Sequence, residues 1–216
     1  MRVNVYVEGP SDKEAMKTLL AGLIERKAQD GILIDFFDYP KGDRKESLLT
    51  QVPKKAVNNL QNSEHDFVVI MPDLYPQNKG FPHRTYQELS DGIFRNFDAA
   101  LHEKGITDQR IRQRLKVYCF KHDLEALLLA AEESLQFQFG DKPLGANWKK
   151  PVEDQNHNQP PKRIIEAIYQ KYGRRYKDTV DAPLILRGVS YQTLAERCPQ
   201  CFKPFVEFLE NLSASV

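Results

Sequence analysis

The sequence predicts an α/β protein: an open, mostly parallel sheet of about four strands flanked by helices, with a helical C-terminal extension. Three observations carry this. Strand-like and helix-like segments alternate over residues 1–135 in the order β-α-β-α-β-α-β-α. The run Phe67-Val68-Val69-Ile70-Met71 is apolar without a break, as in a central strand covered on both faces. From Ser134 the texture changes: a polar stretch from Gly140 to Gln159 leads into segments of helical pattern.

Each element has its own signal. Val3, Val5 and Val7 alternate with Arg2, Asn4 and Tyr6, a strand closed by Gly9-Pro10. Ser11 followed three residues later by Glu14 reads as a capping box, and Ala15, Leu19 and Leu23 continue at helical spacing to Gly31. Ile32 to Phe37 is a second strand. A more polar helix follows, with a boundary or kink expected at Pro53. The apolar third strand stops at Pro72-Asp73. Gly and Pro crowd the loop from Gln77 to Arg84, and Tyr86, Leu89, Ile93, Phe97 and Leu101 mark the next helix. Leu115, Val117 and Cys119 mark a fourth strand, and 123–133 a short helix. Helices are expected at Pro161–Tyr172, Ser190–Glu196 and Gln200–Leu212. Residues 1–135 are expected as the core, and 136–216 as a loop and helices packed on it.

The chain has 216 residues, enough for a sizeable core without a disulfide or metal staple. Three cysteines do not make a secreted disulfide scaffold. The opening residues read as a strand and not as a leader, and no apolar run approaches the roughly 20 residues of a membrane span. A cytoplasmic location without membrane association is the expectation. The net charge of +1 conceals an asymmetry. Residues 1–135 carry 19 basic and 21 acidic side chains, and residues 136–216 carry 12 and 9. A general basic coat is excluded; a local basic groove is not.

Ligands of open α/β sheets bind beyond the carboxyl ends of the strands. Three acidic features fall there. Glu8 follows the first strand, with Asp12 close behind, Asp73 follows the third, and His122, Asp123 and Glu125 follow the fourth. Convergent carboxylates are hard oxygen ligands suited to Mg²⁺ or Mn²⁺, which can bind phosphate, activate water and stabilise a leaving oxygen. Against this, Glu8 also suits a solvated turn, Asp12 a helix start, and His122, Asp123 and Glu125 a helix cap. Asp73, which follows five apolar residues and Pro72, is the hardest to read as merely structural.

At these residues the chain resembles the Toprim-like proteins, and more narrowly an uncharacterised bacterial family related to the nuclease domains of the OLD (overcoming lysogenisation defect) group. The likeness rests on Tyr6-Val7-Glu8-Gly9-Pro10-Ser11-Asp12, Met71-Pro72-Asp73-Leu74-Tyr75-Pro76 and His122-Asp123-Leu124-Glu125-Ala126-Leu127-Leu128. It continues in Pro151 to Asn156, Pro161-Lys162-Arg163-Ile164, Arg197-Cys198-Pro199 and Phe205 to Leu212, so it covers most of the chain. Tyr75 stands where the Toprim signature Asp-x-Asp has its second Asp. The resemblance implies a Mg²⁺-dependent nuclease or phosphotransfer enzyme. Glu8 would be ligand or general base and Asp73 the main ligand, with Asp123 or Glu125 completing the metal site. It also implies a place among phage-defence genes, beside an AAA- or SMC-like ATPase.

Phosphate or nucleic acid would be met by Lys162 and Arg163, with Lys79 or Arg84 assisting from the loop after Asp73. Within Pro161–Asp178 the count is six basic to two acidic, and Tyr169, Tyr172 and Tyr176 interleave. This suits phosphate binding with base stacking, or an amphipathic helix with a solvated basic face. Cys198-Pro199-Gln200-Cys201 has half the spacing of a zinc knuckle but no second half. The five histidines show no ligand pair in sequence, and no Walker A, Gly-x-Gly-x-x-Gly or Gly-x-Ser-x-Gly element is present. Tyr75 keeps open an alternative: a non-catalytic Toprim-fold module that binds nucleic acid or regulates an ATPase. A third reading is a protein that binds a small phosphorylated metabolite.

Overall fold

The computed structural model describes residues 1–39, 42–77 and 80–213. Four parallel strands form one sheet: β1 (Arg2–Val7), β2 (Leu33–Asp38), β3 (Phe67–Met71) and β4 (Leu115–Val117). Their order is β2-β1-β3-β4. The chain steps from β1 to one neighbour and then returns to the other side, so the topological switch point lies between β1 and β3. Helices flank the sheet, as the alternating pattern predicts.

Contacts group the chain into two compact units. The first holds Met1–Gly9, Leu23–Cys119 and the last described residues from Leu212. The second holds Pro10–Gly22 and Phe120–Asn211. The boundary expected at residue 135 therefore falls inside the second unit, and the first helix belongs with the C-terminal half.

In the first unit, Val3, Val5, Val7 and Val68 to Met71 are all fully buried. Helix α3 (Arg44–Gln61) packs against α4 (Tyr86–Glu103) and against β1 and β3. It continues without a break through Pro53, where the sequence suggests a boundary or kink. Leu48, Leu49, Val52, Ala56, Val57 and Leu60 are buried on both sides of the proline, and this packing outweighs the lost backbone hydrogen bond. Helix α4 starts with a complete capping box of Thr85 and Glu88. Helix α2 (Ala21–Gln29) leads into β2, and α5 (Gln109–Gln113) into β4.

In the second unit, α1 (Pro10–Leu19) starts at Pro10 and leaves Ser11 in its first turn. Proline at a helix start loses no intrahelical bond and has the right φ, which explains the earlier start. The helix expected at 123–133 is two: α6 (Glu125–Ala130) and α7 (Glu132–Phe137), broken at Ala131. α8 (Pro161–Lys171), α10 (Tyr191–Arg197) and α11 (Phe202–Glu210) lie where expected. α9 (Asp178–Leu186), packed on α1, lacks a clear amphipathic pattern and was missed. Among the described residues, no helix is long and apolar enough to cross a membrane.

Candidate functional site

Parallel pairing aligns Val7 with Met71, so Glu8 and Asp73 leave adjacent strands at the same end of the sheet, astride the switch point. The Asp73 backbone N–H donates to Glu8 Oε1 at 3.0 Å. Lys45, two residues into α3, brings its Nζ within 3.8 Å of the same oxygen and donates to the Pro76 carbonyl at 2.5 Å. A cation at a helix N-terminus opposes the macrodipole. It is held here by Glu8, Asp73 and Asp43, which all stabilise its charge. Asp43 is also the N-cap of α3 and accepts from the Glu46 N–H at 3.0 Å.

Burial sets the proton affinities. The Lys45 side chain is 8% exposed and that of Glu8 20%. Burial pushes Glu8 above the ordinary carboxylate range, against the pull of Lys45 and the Asp73 N–H. Burial pulls Lys45 below the ordinary lysine value, against the three carboxylates. The result is an acid and an ammonium brought toward each other in proton affinity, as acid–base centres require.

The other predicted acids sit in the second unit. Glu125, at the start of α6, is 3% exposed, and its Oε1 lies 3.6 Å from Lys162 Nζ. Asp123 Oδ2 accepts from the Lys162 backbone N–H at 3.2 Å, while Oδ1 is buried without a hydrogen-bond partner among the described residues. Burial first, and then the charge of Glu125, push Asp123 up to about 8. Glu125 is also raised, chiefly by burial. Lys162 Nζ further bonds Asp178 Oδ2 at 3.3 Å. Burial pulls Lys162 down, but Glu125 and Asp178 outweigh it and hold it above its usual value. The Tyr176 hydroxyl faces Glu125, and Asp12 adds its charge to that around Asp123.

Within the first unit Glu8 and Asp73 are brought together, and within the second Asp123, Glu125 and Lys162 meet. Among the described residues, no group of three or more His, Cys, Asp or Glu side chains assembles as a metal site. His122 is buried beside His157, ring centroids 5.2 Å apart, a pair hidden in the sequence by 34 intervening positions. Burial lowers the His122 pKa, and His157 and Lys121 lower it further. Arg163 is exposed. Arg84 is exposed, and its carbonyl accepts from the Tyr75 hydroxyl at 2.6 Å. Lys79 lies outside the described residues.

The tyrosines of the basic stretch pack against aromatic rings of the second unit. Tyr169 is 1% exposed and packs between Phe139 and Tyr176, and Tyr172 stacks on Phe139. Cys198 is buried, which pushes its thiol up.

Sequence reasoning missed Lys45, Asp178 and Glu153. The pattern Asp43-Arg44-Lys45-Glu46 does signal a helix start, which would have placed Lys45 at a strand-end level. Glu153, 2% exposed, accepts from the N–H groups of Gln200 and Cys201 at 2.7 Å each and fixes the approach to α11.

The family described as Domain of unknown function (DUF4276) matches residues 7–210. The chain belongs to the DUF4276 family. That match spans both units, from the end of β1 to the end of α11. Comparison with the curated proteins gives no match, nor does comparison with the solved structures. In this DUF4276 chain, Glu8, Lys45 and Asp73 meet at the switch point of the sheet.

Proposed function

We propose that this DUF4276 protein is a Mg²⁺-dependent phosphotransfer enzyme of Toprim-like type, acting as a nuclease. One observation carries the reading: Glu8 and Asp73 leave adjacent parallel strands together at the switch point, with the buried Lys45 ammonium against them. Open sheets of this order bind ligands at that point.

Glu8 and Asp73 fit a Mg²⁺ ion, which is commonly bound by one or two carboxylates and keeps several waters. The ion would supply charge neutralisation at phosphate and an acidified water. Lys45 now holds the carboxylates that the ion would share. Glu8, its proton affinity raised by burial, takes the proton of the attacking water. Lys45 neutralises charge on the phosphoryl oxygens. In the second unit, Lys162 and Arg163 offer positive charge to nucleic acid, and Asp123 and Glu125 hold Lys162 in place.

The test is cleavage of labelled DNA and RNA with Mg²⁺ or Mn²⁺. Glu8→Gln and Asp73→Asn each abolish cleavage while thermal unfolding stays cooperative. Cleavage unchanged in either variant overturns the proposal.

A second reading has its own support. Lys45 already neutralises Glu8, and the Tyr75 hydroxyl is committed to the Arg84 carbonyl. A non-catalytic module that binds nucleic acid or regulates a partner ATPase of the AAA or SMC type would need no more than this. Calorimetry separates the two: no heat of binding at millimolar Mg²⁺ and Mn²⁺ favours the module.

A further inference from the structure

We infer that a cavity of about 610 Å³ between the β3–α4 loop and the first half of α4 is a phosphate-binding subsite formed by His83, Arg84 and Arg95. The inference rests on the phosphotransfer reading above and gives it a place to hold the phosphate of its substrate.

Three independent features converge on this cavity. The first is His83, which lines it and is 1% exposed. Its Nδ1 lies 3.0 Å from the Phe81 carbonyl. A carbonyl only accepts, so Nδ1 carries a proton. Nε2, on the far edge of the ring, is buried and has no hydrogen-bond partner among the described residues. Buried polar atoms are rarely left unpaired, and an exception points to an unseen ligand, water or role. In this tautomer Nε2 is an acceptor and can take a hydrogen bond from a protonated phosphate oxygen.

The second feature is charge. Arg84 and Arg95 both line the cavity, and neither guanidinium has an ion pair or hydrogen bond to another described residue. The wall also carries two carboxylates, which balance the formal charge of the arginines but form no ion pair with them among the described residues. Glu88 accepts from the Arg84 and Thr85 N–H groups in the capping box, and Asp91 accepts from Gln87 Nε2 at 2.8 Å. The N-terminus of the 18-residue helix α4 adds its dipole. A guanidinium presents several N–H donors and a fixed positive charge, which suit phosphate oxygens.

The third feature is attachment. The Lys45 ammonium contacts Glu8 and also binds the Pro76 carbonyl, and Gln77, the next residue, lines the cavity. The Tyr75 hydroxyl, two residues after Asp73, binds the Arg84 carbonyl and ties the end of the loop to its beginning. Gly92 lets the loop settle on α4: a Cβ there would come within 2.1 Å of the Phe81 ring, which packs edge-on against His83. Tyr75, which departs from the Toprim-like signature, thereby gains a role. It trades a second acid for a tether to the Arg84 backbone.

The test titrates the full chain with inorganic phosphate at constant ionic strength, with chloride as control, and follows backbone amide shifts. Phosphate should shift amides of the 81–95 segment saturably. Arg84→Gln/Arg95→Gln, both exposed and harmless to folding, should weaken binding at least about tenfold. Shifts without saturation, or affinity in the double variant within about twofold of the parent, overturn the subsite. A labelled DNA single strand in the same assay shows whether the phosphate is that of a nucleic acid backbone. The cleavage assay separates this inference from its premise. If the parent cleaves and the double variant cleaves with equal kcat/KM, the subsite falls and the enzyme stands. If phosphate binding depends on the arginines and the parent cleaves nothing with either metal, the enzyme falls and the anion site stands.

Discussion

Replacing Lys45 with Met tests the central pair directly. The two side chains are nearly isosteric, so the change removes charge without opening a void. At 3.8 Å the Glu8–Lys45 attraction is about 4 kcal/mol at an effective dielectric constant of about 20. Losing one partner of a buried pair costs about 3–5 kcal/mol if the other stays charged. Glu8 has an escape, because it can bind a proton. In the folded variant its pKa rises further, while in the unfolded chain it stays near 4.5. Between those values the folded state holds a proton that the unfolded state has lost, so stability falls as pH rises. Protonating Glu8 costs about 1.4 kcal/mol for each pH unit above 4.5. The loss is therefore capped near about 3 kcal/mol at pH 7 and below about 1 kcal/mol at pH 5. Urea denaturation of Lys45→Met at the two pH values should show about 2 kcal/mol and under about 1 kcal/mol. Combining it with Glu8→Gln should recover about 1–3 kcal/mol in a double-mutant cycle. Equal losses at both pH values, or strict additivity, would refute the description of this pair.

Three further outcomes are expected. Asp123, raised to about 8 from an unfolded value near 3.8, makes stability fall as pH climbs through that window. Asp123→Asn should flatten the decline by about 1–3 kcal/mol, measured as the difference in unfolding free energy between pH 5 and pH 8. Glu153→Ala strands the N–H groups of Gln200 and Cys201, so it should cost about 2–3 kcal/mol and speed hydrogen exchange at those amides. Gly92→Ala gains about 1 kcal/mol of helix propensity. It also drives a methyl into the Phe81 ring, so it should cost about 1–2 kcal/mol net and shift the Phe81 and His83 ring resonances.

How legible the site was depends on the reach of each signal. Glu8 and Asp73 were visible because a charge immediately after an apolar strand is a local pattern. Lys45 was not, since nothing within a few residues of it shows that α3 packs on β1 and β3 and delivers its ammonium to Glu8. Asp123 and Glu125 stand out in the sequence as acids that follow the fourth strand. Their partnership with Lys162 and Asp178 depends on α8 and α9 packing on α6, 30 to 60 residues away in the chain.

The sequence by itself determined the order and type of most elements, because hydrophobic periodicity and turn residues act within a few positions. It determined the parallel sheet too, since an unbroken apolar run such as 67–71 is stable only when both faces are covered. Only the tertiary structure decided that the order is β2-β1-β3-β4, that α1 joins the C-terminal half, and that α3 passes through Pro53. Those outcomes depend on which distant surfaces bury one another. The same holds for the proton affinities of Glu8, Lys45 and Asp123: burial and neighbouring charge set them, and both exist only once the chain has folded.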